Sequence, residues 1–221
     1  MENKIARHLK NSLVAGALAL GSCISQPLDV KPKVSLGYNA LETAVVAERS
    51  PEGNRPVRNR LLSNVSLGLG DLEISYQGLN EVNDWNSDTY FGRNRFIVGN
   101  KDSPLKFLVD TRAVKDDVFD KKIGVRHTKL MSQLGGYGFV DLSTDKDSLN
   151  LALFYGKPLC GGLSLEVLQD TTFRRDQEPS YYTELQLNQS LTDKLSLFVR
   201  AEIPNFDEDL ATYLLGASIS F

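Results

Sequence analysis

Residues 213 to 221 read YLLGASISF, and the chain stops there. Tyr213, Leu215, Ala217, Ile219 and Phe221 alternate with Leu214, Gly216, Ser218 and Ser220. A period of two sends successive side chains to opposite faces of an extended strand. Chain ends are usually polar and loosely held. A terminal strand that runs on to an aromatic residue therefore calls for a partner strand beside it.

The same period runs back through the chain. KVSLGYNA puts Val34, Leu36, Tyr38 and Ala40 on one face. DLEISYQG sets Leu72, Ile74 and Tyr76 against Glu73, Ser75 and Gln77. SLNLALFYG gives Leu149, Leu151, Leu153 and Tyr155. KLSLFVRAEI opposes Leu195, Leu197, Val199, Ala201 and Ile203 to Ser196, Phe198, Arg200 and Glu202. No comparably long window carries a 3.6-residue apolar period, so the chain is all-β. Turn-forming residues divide it into twelve strands, at about 33–48, 60–69, 72–79, 89–99, 105–113, 121–129, 134–143, 148–157, 163–173, 181–190, 194–203 and 211–221. The weakest division is at TKLMSQ, residues 128 to 133; ten strands is the alternative count if the N-terminal pieces are cut differently.

The links sort by length. RSPEGNRPVRN (49–59), LNEVNDWNSD (79–88), the acidic stretch around KDDVFDK, RRDQEPS (174–180) and PNFDEDL (204–210) are long and polar. GD (70–71), NKDSP (100–104) and LTDK (191–194) are short, and STDKD (143–147) is brief where the alternation asks for a long link. A transmembrane barrel makes short turns at one rim and long loops at the other, with an even strand number. A soluble β-sandwich does not sort its loops this way and must also protect its edges, whereas a closed barrel has none. The expected fold is a closed antiparallel transmembrane β-barrel over residues 33–221, with the apolar stripe toward lipid and the polar stripe toward the lumen.

The closing stretch resembles the C-terminal signal strand of Gram-negative outer-membrane β-barrel proteins, which end in Phe with apolar or aromatic residues at alternate positions. Tyr213, Leu215, Ile219 and Phe221 carry that match, with Ala217 a small member. The resemblance implies recognition by the barrel-assembly machinery and a final strand paired with the first. In size the chain is similar to small monomeric porins, such as those for acidic oligosaccharides.

The N-terminus agrees with export. Lys4, Arg7 and Lys10 precede the apolar run LVAGALALG (13–21), and the small residues GSC follow, which is the layout of a secretory signal peptide over residues 1–22. ALG before Ser22 fits an ordinary cleavage site, and LGSC (20–23) resembles a lipobox that would leave a lipidated Cys23. Residues 23–32 then form a periplasmic N-terminal segment. Cys23 and Cys160 are the two cysteines, and export permits a disulfide between them if Cys23 carries no lipid. The net charge of −3 becomes more acidic once residues 1–22 are removed, which disfavours nucleic acid as a partner.

Alternation sends Arg93, Arg95, Lys106, Asp110, Arg112 and Arg126 into the lumen from one arc, and Glu166, Asp170, Glu184, Arg200 and Glu202 from the opposing arc. Two readings follow: a transverse field across a water-filled pore, or ion pairs, such as Arg93 or Arg95 with Asp110, bracing a narrow or closed barrel. Twelve strands lie between the filled eight-stranded barrels and the open sixteen-stranded porins.

Catalysis has little support. His127 is the one histidine after the export segment and alternates with Ile123 and Val125 toward lipid. Asp207, Glu208 and Asp209 suit a solvated loop better than a calcium site, so no metal or cofactor is expected. Trp85, Tyr90, Tyr181 and Tyr182 suit an aromatic girdle. The expected function is a passive, monomeric outer-membrane channel for small polar or charged solutes. Its partners would be outer-membrane lipid, lipopolysaccharide and the assembly machinery. The alternative is a non-conducting structural, adhesive or ligand-binding barrel or surface lipoprotein.

Overall fold

The computed structural model describes residues 33–46, 57–83, 90–114 and 117–221. The expected export segment 1–22, the expected periplasmic segment 23–32 that begins at Cys23, and Trp85 lie outside the described residues. The strands are β1 Lys33–Leu36, β2 Ala40–Val46, β3 Val57–Leu69, β4 Leu72–Asn83, β5 Tyr90–Asn100, β6 Leu105–Val114, β7 Asp117–His127, β8 Tyr137–Thr144, β9 Ser148–Pro158, β10 Leu163–Arg174, β11 Ser180–Ser190, β12 Leu195–Pro204 and β13 Thr212–Ser220. From β2 to β13 each strand pairs antiparallel with its chain neighbour, and β13 pairs with β2 from Leu214↔Val46 to Ser220↔Ala40. The result is a closed barrel of twelve strands with β1 added on β3. Closure gives the backbone of β13 a partner on each side, which answers the demand set by its alternating sequence.

In β13 the alternation is realised in space. Tyr213, Leu215, Ile219 and Phe221 stand on the exposed outer face, whereas Leu214 and Ser218 are buried inside. Phe221 N–H donates to the Asn39 carbonyl at 3.1 Å, tying the last residue to the start of β2. Gly216 faces inward against Phe198, the largest fully buried side chain among the described residues. A Cβ there would lie 2.5 Å from Phe198 Cζ and 2.5 Å from the Thr43 carbonyl oxygen. Gly216→Ala is therefore expected to destabilise the barrel by about 1–3 kcal/mol through overpacking. The urea midpoint of barrels refolded into vesicles measures this.

The first strand corrects its expected form. Leu36 pairs with Val65 but Ala40 pairs with Leu62, so one extra residue is inserted around Gly37–Asn39. Such a bulge inverts the facing of everything beyond it. Ala40 is consequently buried inside, not aligned with the exposed Val34, Leu36 and Tyr38. Asn39 serves the polar groups at the break: its Nδ2 donates to the Gly37 carbonyl at 2.8 Å, and its Oδ1 accepts from Asn64 N–H at 2.9 Å.

Around KDDVFDK the expected long loop is largely strand, because β7 begins at Asp117 and its edge pairs with β6. The division placed at 128–133 holds: β7 stops at His127, a 3-10 turn covers Met131–Leu134, and β8 starts at Tyr137. His127 has a structural task there, its Nδ1 accepting the Leu130 N–H at 3.1 Å. Of the expected girdle, Tyr181 packs on Phe206 with ring centroids 4.9 Å apart. Tyr182 instead turns toward the interior and donates to Glu184 at 3.2 Å. The Tyr90 side chain lies outside the described residues.

Outside, the barrel presents Phe107, Ile123, Val125, Leu149, Leu151, Leu187, Leu197, Val199 and Leu215, all exposed. An apolar belt of this extent is untenable in water and suited to hydrocarbon. Inside, apolar packing is local, with Ala44, Phe198 and Leu214 clustered where β12, β13 and β2 meet. Ile97, Leu108 and Ala152 are further buried apolar groups on inward-facing positions, and the other buried interior side chains of the strands are mostly polar or charged. We term the rim at which Phe221 lies the inner end; it carries the turns at Gly70–Asp71, 101–104, 128–136, 159–162 and 191–194. Cys160 is exposed in one of these turns.

Candidate functional site

Strand alternation delivers charged side chains to the interior, and the closed ring decides which of them meet. All eleven residues expected in the lumen point inward. They are not held apart across open water. Most of them join in two networks that reach across the barrel, whereas Lys106 and Glu166 make separate contacts with Glu73 and Tyr137, and Arg95 lies 3.5 Å from Asp141 and 3.9 Å from Asp110.

The first network centres on Asp170 of β10. Arg93 of β5 donates through Nη1 to Asp170, five strands away around the ring. Its Nε donates to Asp110 of β6 at 3.0 and 3.1 Å. Arg112 Nη2 donates to Asp170 at 3.0 Å and to Asn150 Oδ1 at 3.3 Å. Asn150 donates in turn to Asp170, to the Thr171 carbonyl and to Thr172 Oγ1. Beside this hub, Arg126 of β7 grips Asp141 of β8 with two bonds of 2.6 and 2.7 Å and reaches Gln77 of β4. The Arg126 guanidinium lies 3.6 Å from the ring centre of Phe139, so charge and stacking fix it together.

The second network centres on Arg60 of β3. Its Nη1 donates to Glu184 of β11 at 2.8 Å, its Nη2 to Glu202 of β12 at 2.7 Å, and its Nε to Glu81 of β4. Arg58 joins Glu202 and Glu81. Arg200 pairs with Glu42 and approaches Glu184 at 3.2 Å. Glu166 accepts the Tyr137 hydroxyl at 2.8 Å, and Lys106 pairs with Glu73.

Arg58, Arg60, Glu42, Glu73, Glu81, Lys122 and Asp141 belong to these interior contacts without having been singled out in the sequence. Arg58 fell outside the second expected strand, 60–69, because Pro56 and Asn59 read as loop, whereas β3 begins at Val57. Lys122 and Asp141 lie on strands whose alternation, followed strictly, places them inside. Lys122 bonds Asp120 and, at 2.8 Å, Asp145 in the β8–β9 turn. That bond, with the Asp147 and Ser148 backbone amides and the Ser148 hydroxyl, holds the Asp145 carboxyl well below the usual carboxylate range.

The networks bridge the middle of the lumen. Toward the inner end lies a cavity of about 190 Å³, lined by Asn64, Ser66, Glu73, Ser75, Gln77 and Lys106 among others. It offers both donors and acceptors, and its volume corresponds to roughly six waters. The cavity wall is mostly polar, with Ile97 among it, and suits water and small polar groups.

No known family profile matches the chain, and neither does any curated protein sequence. Solved structures do match. The KdgM porin superposes with a TM-score of 0.51 at 7% identity, over 84% of this chain and 99% of that one. The architecture is porin-like. At lower scores, a porin of Rhodopseudomonas blastica aligns at a TM-score of 0.40 and 7% identity, over 86% of this chain and 100% of that one. The outer membrane protease OmpT of Escherichia coli aligns at 0.21 and 11%, over 90% and 99%. At these identities the porin likeness is one of fold.

Proposed function

We propose that this porin-like barrel is a passive outer-membrane channel for small polar or charged solutes, without enzymatic activity. The observation that carries the reading is the pairing of an apolar belt outside with a closed interior of charged and amide side chains. A barrel that only had to persist in a membrane gains nothing from burying so many ion pairs, whose desolvation offsets most of their attraction. Solutes would pass beside the Asp170 and Arg60 networks and through the inner cavity, exchanging hydration for hydrogen bonds with the wall. The barrel acts as a monomer among outer-membrane lipid and lipopolysaccharide. Liposomes containing the refolded chain are expected to swell in small sugars and amino acids and to exclude larger oligosaccharides. Equal impermeability to every solute, from a barrel with heat-dependent gel mobility, would remove the channel reading. Stability of the folded chain without detergent would remove the membrane reading as well.

A second reading rests on a specific observation. The cross-lumen bonds of Arg93 to Asp170 and Arg60 to Glu184 fit a braced, non-conducting barrel whose role lies in its rim. The swelling experiment separates the two.

Assembly in the cell would depend on the terminal strand. Deleting Phe221 is expected to lower the outer-membrane amount several-fold through loss of recognition by the assembly machinery. Refolding of the same variant from urea into detergent is expected to proceed nearly as before, since only one rim bond is lost. Quantifying heat-modifiable protein in the two preparations tests this.

A further inference from the structure

We propose that the channel selects cations over anions, organic ammonium ions above all, and that Glu166 of β10 is the residue that sets this preference. The inference rests on the channel reading and goes beyond it to the charge of the solute. It starts from which inward charges find partners. On the Asp170 side the cations Arg93, Arg95, Lys106, Arg112, Lys122 and Arg126 are matched in number by Glu73, Asp110, Asp120, Asp141, Asp145 and Asp170, every one of them in ion-pair range of an opposite charge. That side of the lumen is neutral.

Around Arg60 the balance differs. Arg58, Arg60 and Arg200 are the cations, and the three of them serve four acids, Glu42, Glu81, Glu184 and Glu202. Glu166 is a fifth acid on the same side, and it has no cationic partner among the described residues. Its contacts are neutral donors: the Tyr137 hydroxyl at 2.8 Å, with the Asn188 amide beside it. Its charged neighbours Glu42 and Glu184 are themselves acids. Three positive charges against five negative leave an excess of two negative charges among the described lumen residues. A wall with fixed negative charge concentrates mobile cations and turns anions away.

Glu166 is where that excess meets the solute. The oxygens of Glu42, Glu81, Glu184 and Glu202 are engaged by guanidinium N–H groups, whereas the Glu166 charge is left uncovered. The class of cation follows from the tyrosines. Tyr137 is exposed and donates to Glu166, and Tyr38, also exposed, places its hydroxyl 3.1 Å from Ser218 Oγ. Ser218 stands opposite Glu42 in the β13–β2 ladder, so both rings lie near uncompensated acid. A ring face attracts a positive charge and also covers hydrocarbon, which favours an organic ammonium ion over a hydrated metal ion.

The test is the reversal potential of the refolded full chain in planar bilayers, under a gradient of potassium chloride and then of ethanolammonium chloride. The wild type is expected to prefer the cation in both salts, and to pass ethanolammonium better relative to potassium than their mobilities in water dictate. Glu166→Gln keeps the shape and removes the charge. It is expected to lower the cation-to-anion permeability ratio by about fivefold, the weight of one unit charge at contact distance in water. If Glu166→Gln does not fold, Glu166→Ala is read in the same way. A conducting wild type without cation preference, or a ratio unchanged by the substitution, would overturn the proposal and leave the channel reading standing. No conductance from any variant would remove the channel reading and the proposal with it.

Discussion

Asp170→Ala is expected to enlarge the ion-conducting step of the barrel while lowering its stability by about 3–5 kcal/mol. Asp170 is where Arg93 and Arg112, anchored on β5 and β6, meet β10 across the lumen. Removing its carboxylate deletes the strut and leaves two buried guanidiniums short of an acceptor, with Asn150 losing one as well. The freed arginines then swing toward water or toward passing anions, and anion preference rises. Asp170→Asn separates shape from charge. It preserves the bulk of the side chain, so any increase in conductance should be smaller than in the alanine variant, while the stability loss remains. Planar-bilayer recordings and urea midpoints read the two effects separately. A stable Asp170→Ala barrel with unchanged conductance would show that the strut neither bridges nor braces.

Arg60→Ala is the complementary case and is expected to shift selectivity toward cations. One guanidinium there serves Glu81, Glu184 and Glu202 from three different strands. Without it these carboxylates face one another with only Arg58 and Arg200 beside them. The expected loss of stability is again about 3–5 kcal/mol, since buried acids are left partly unmatched. Arg60→Lys should rescue little, because an ammonium on a flexible stem cannot span three acceptors as the rigid fork does. A reversal potential unchanged in Arg60→Ala under a salt gradient would contradict this placement of charge.

The alternation visible in YLLGASISF and its upstream counterparts carried the strand count, the closure and the inward face. It could do so because the side-chain period of a strand is strict and a closed barrel applies it to every strand. Where the period breaks, the inference breaks with it. The single extra residue near Gly37–Asn39 moved Ala40 to the opposite face. KDDVFDK read as loop from its acidity, yet its residues from Asp117 onward extend β7, where Lys122 can take Asp120 and Asp145.

The candidate site was legible as a set of residues and not as an arrangement. Facing follows from sequence parity, but reach across the lumen depends on stagger and on which rotamers meet. Thus Arg93 with Asp110 could be named from adjacent strands, whereas Arg93 with Asp170 and Arg60 with Glu184 could not.

The measurement that bears most directly on the account is single-channel recording of the refolded wild-type chain beside Asp170→Ala, each verified as a heat-modifiable barrel. The account predicts small discrete steps in the wild type and larger ones in the variant. Silence from both, at every voltage, would contradict it.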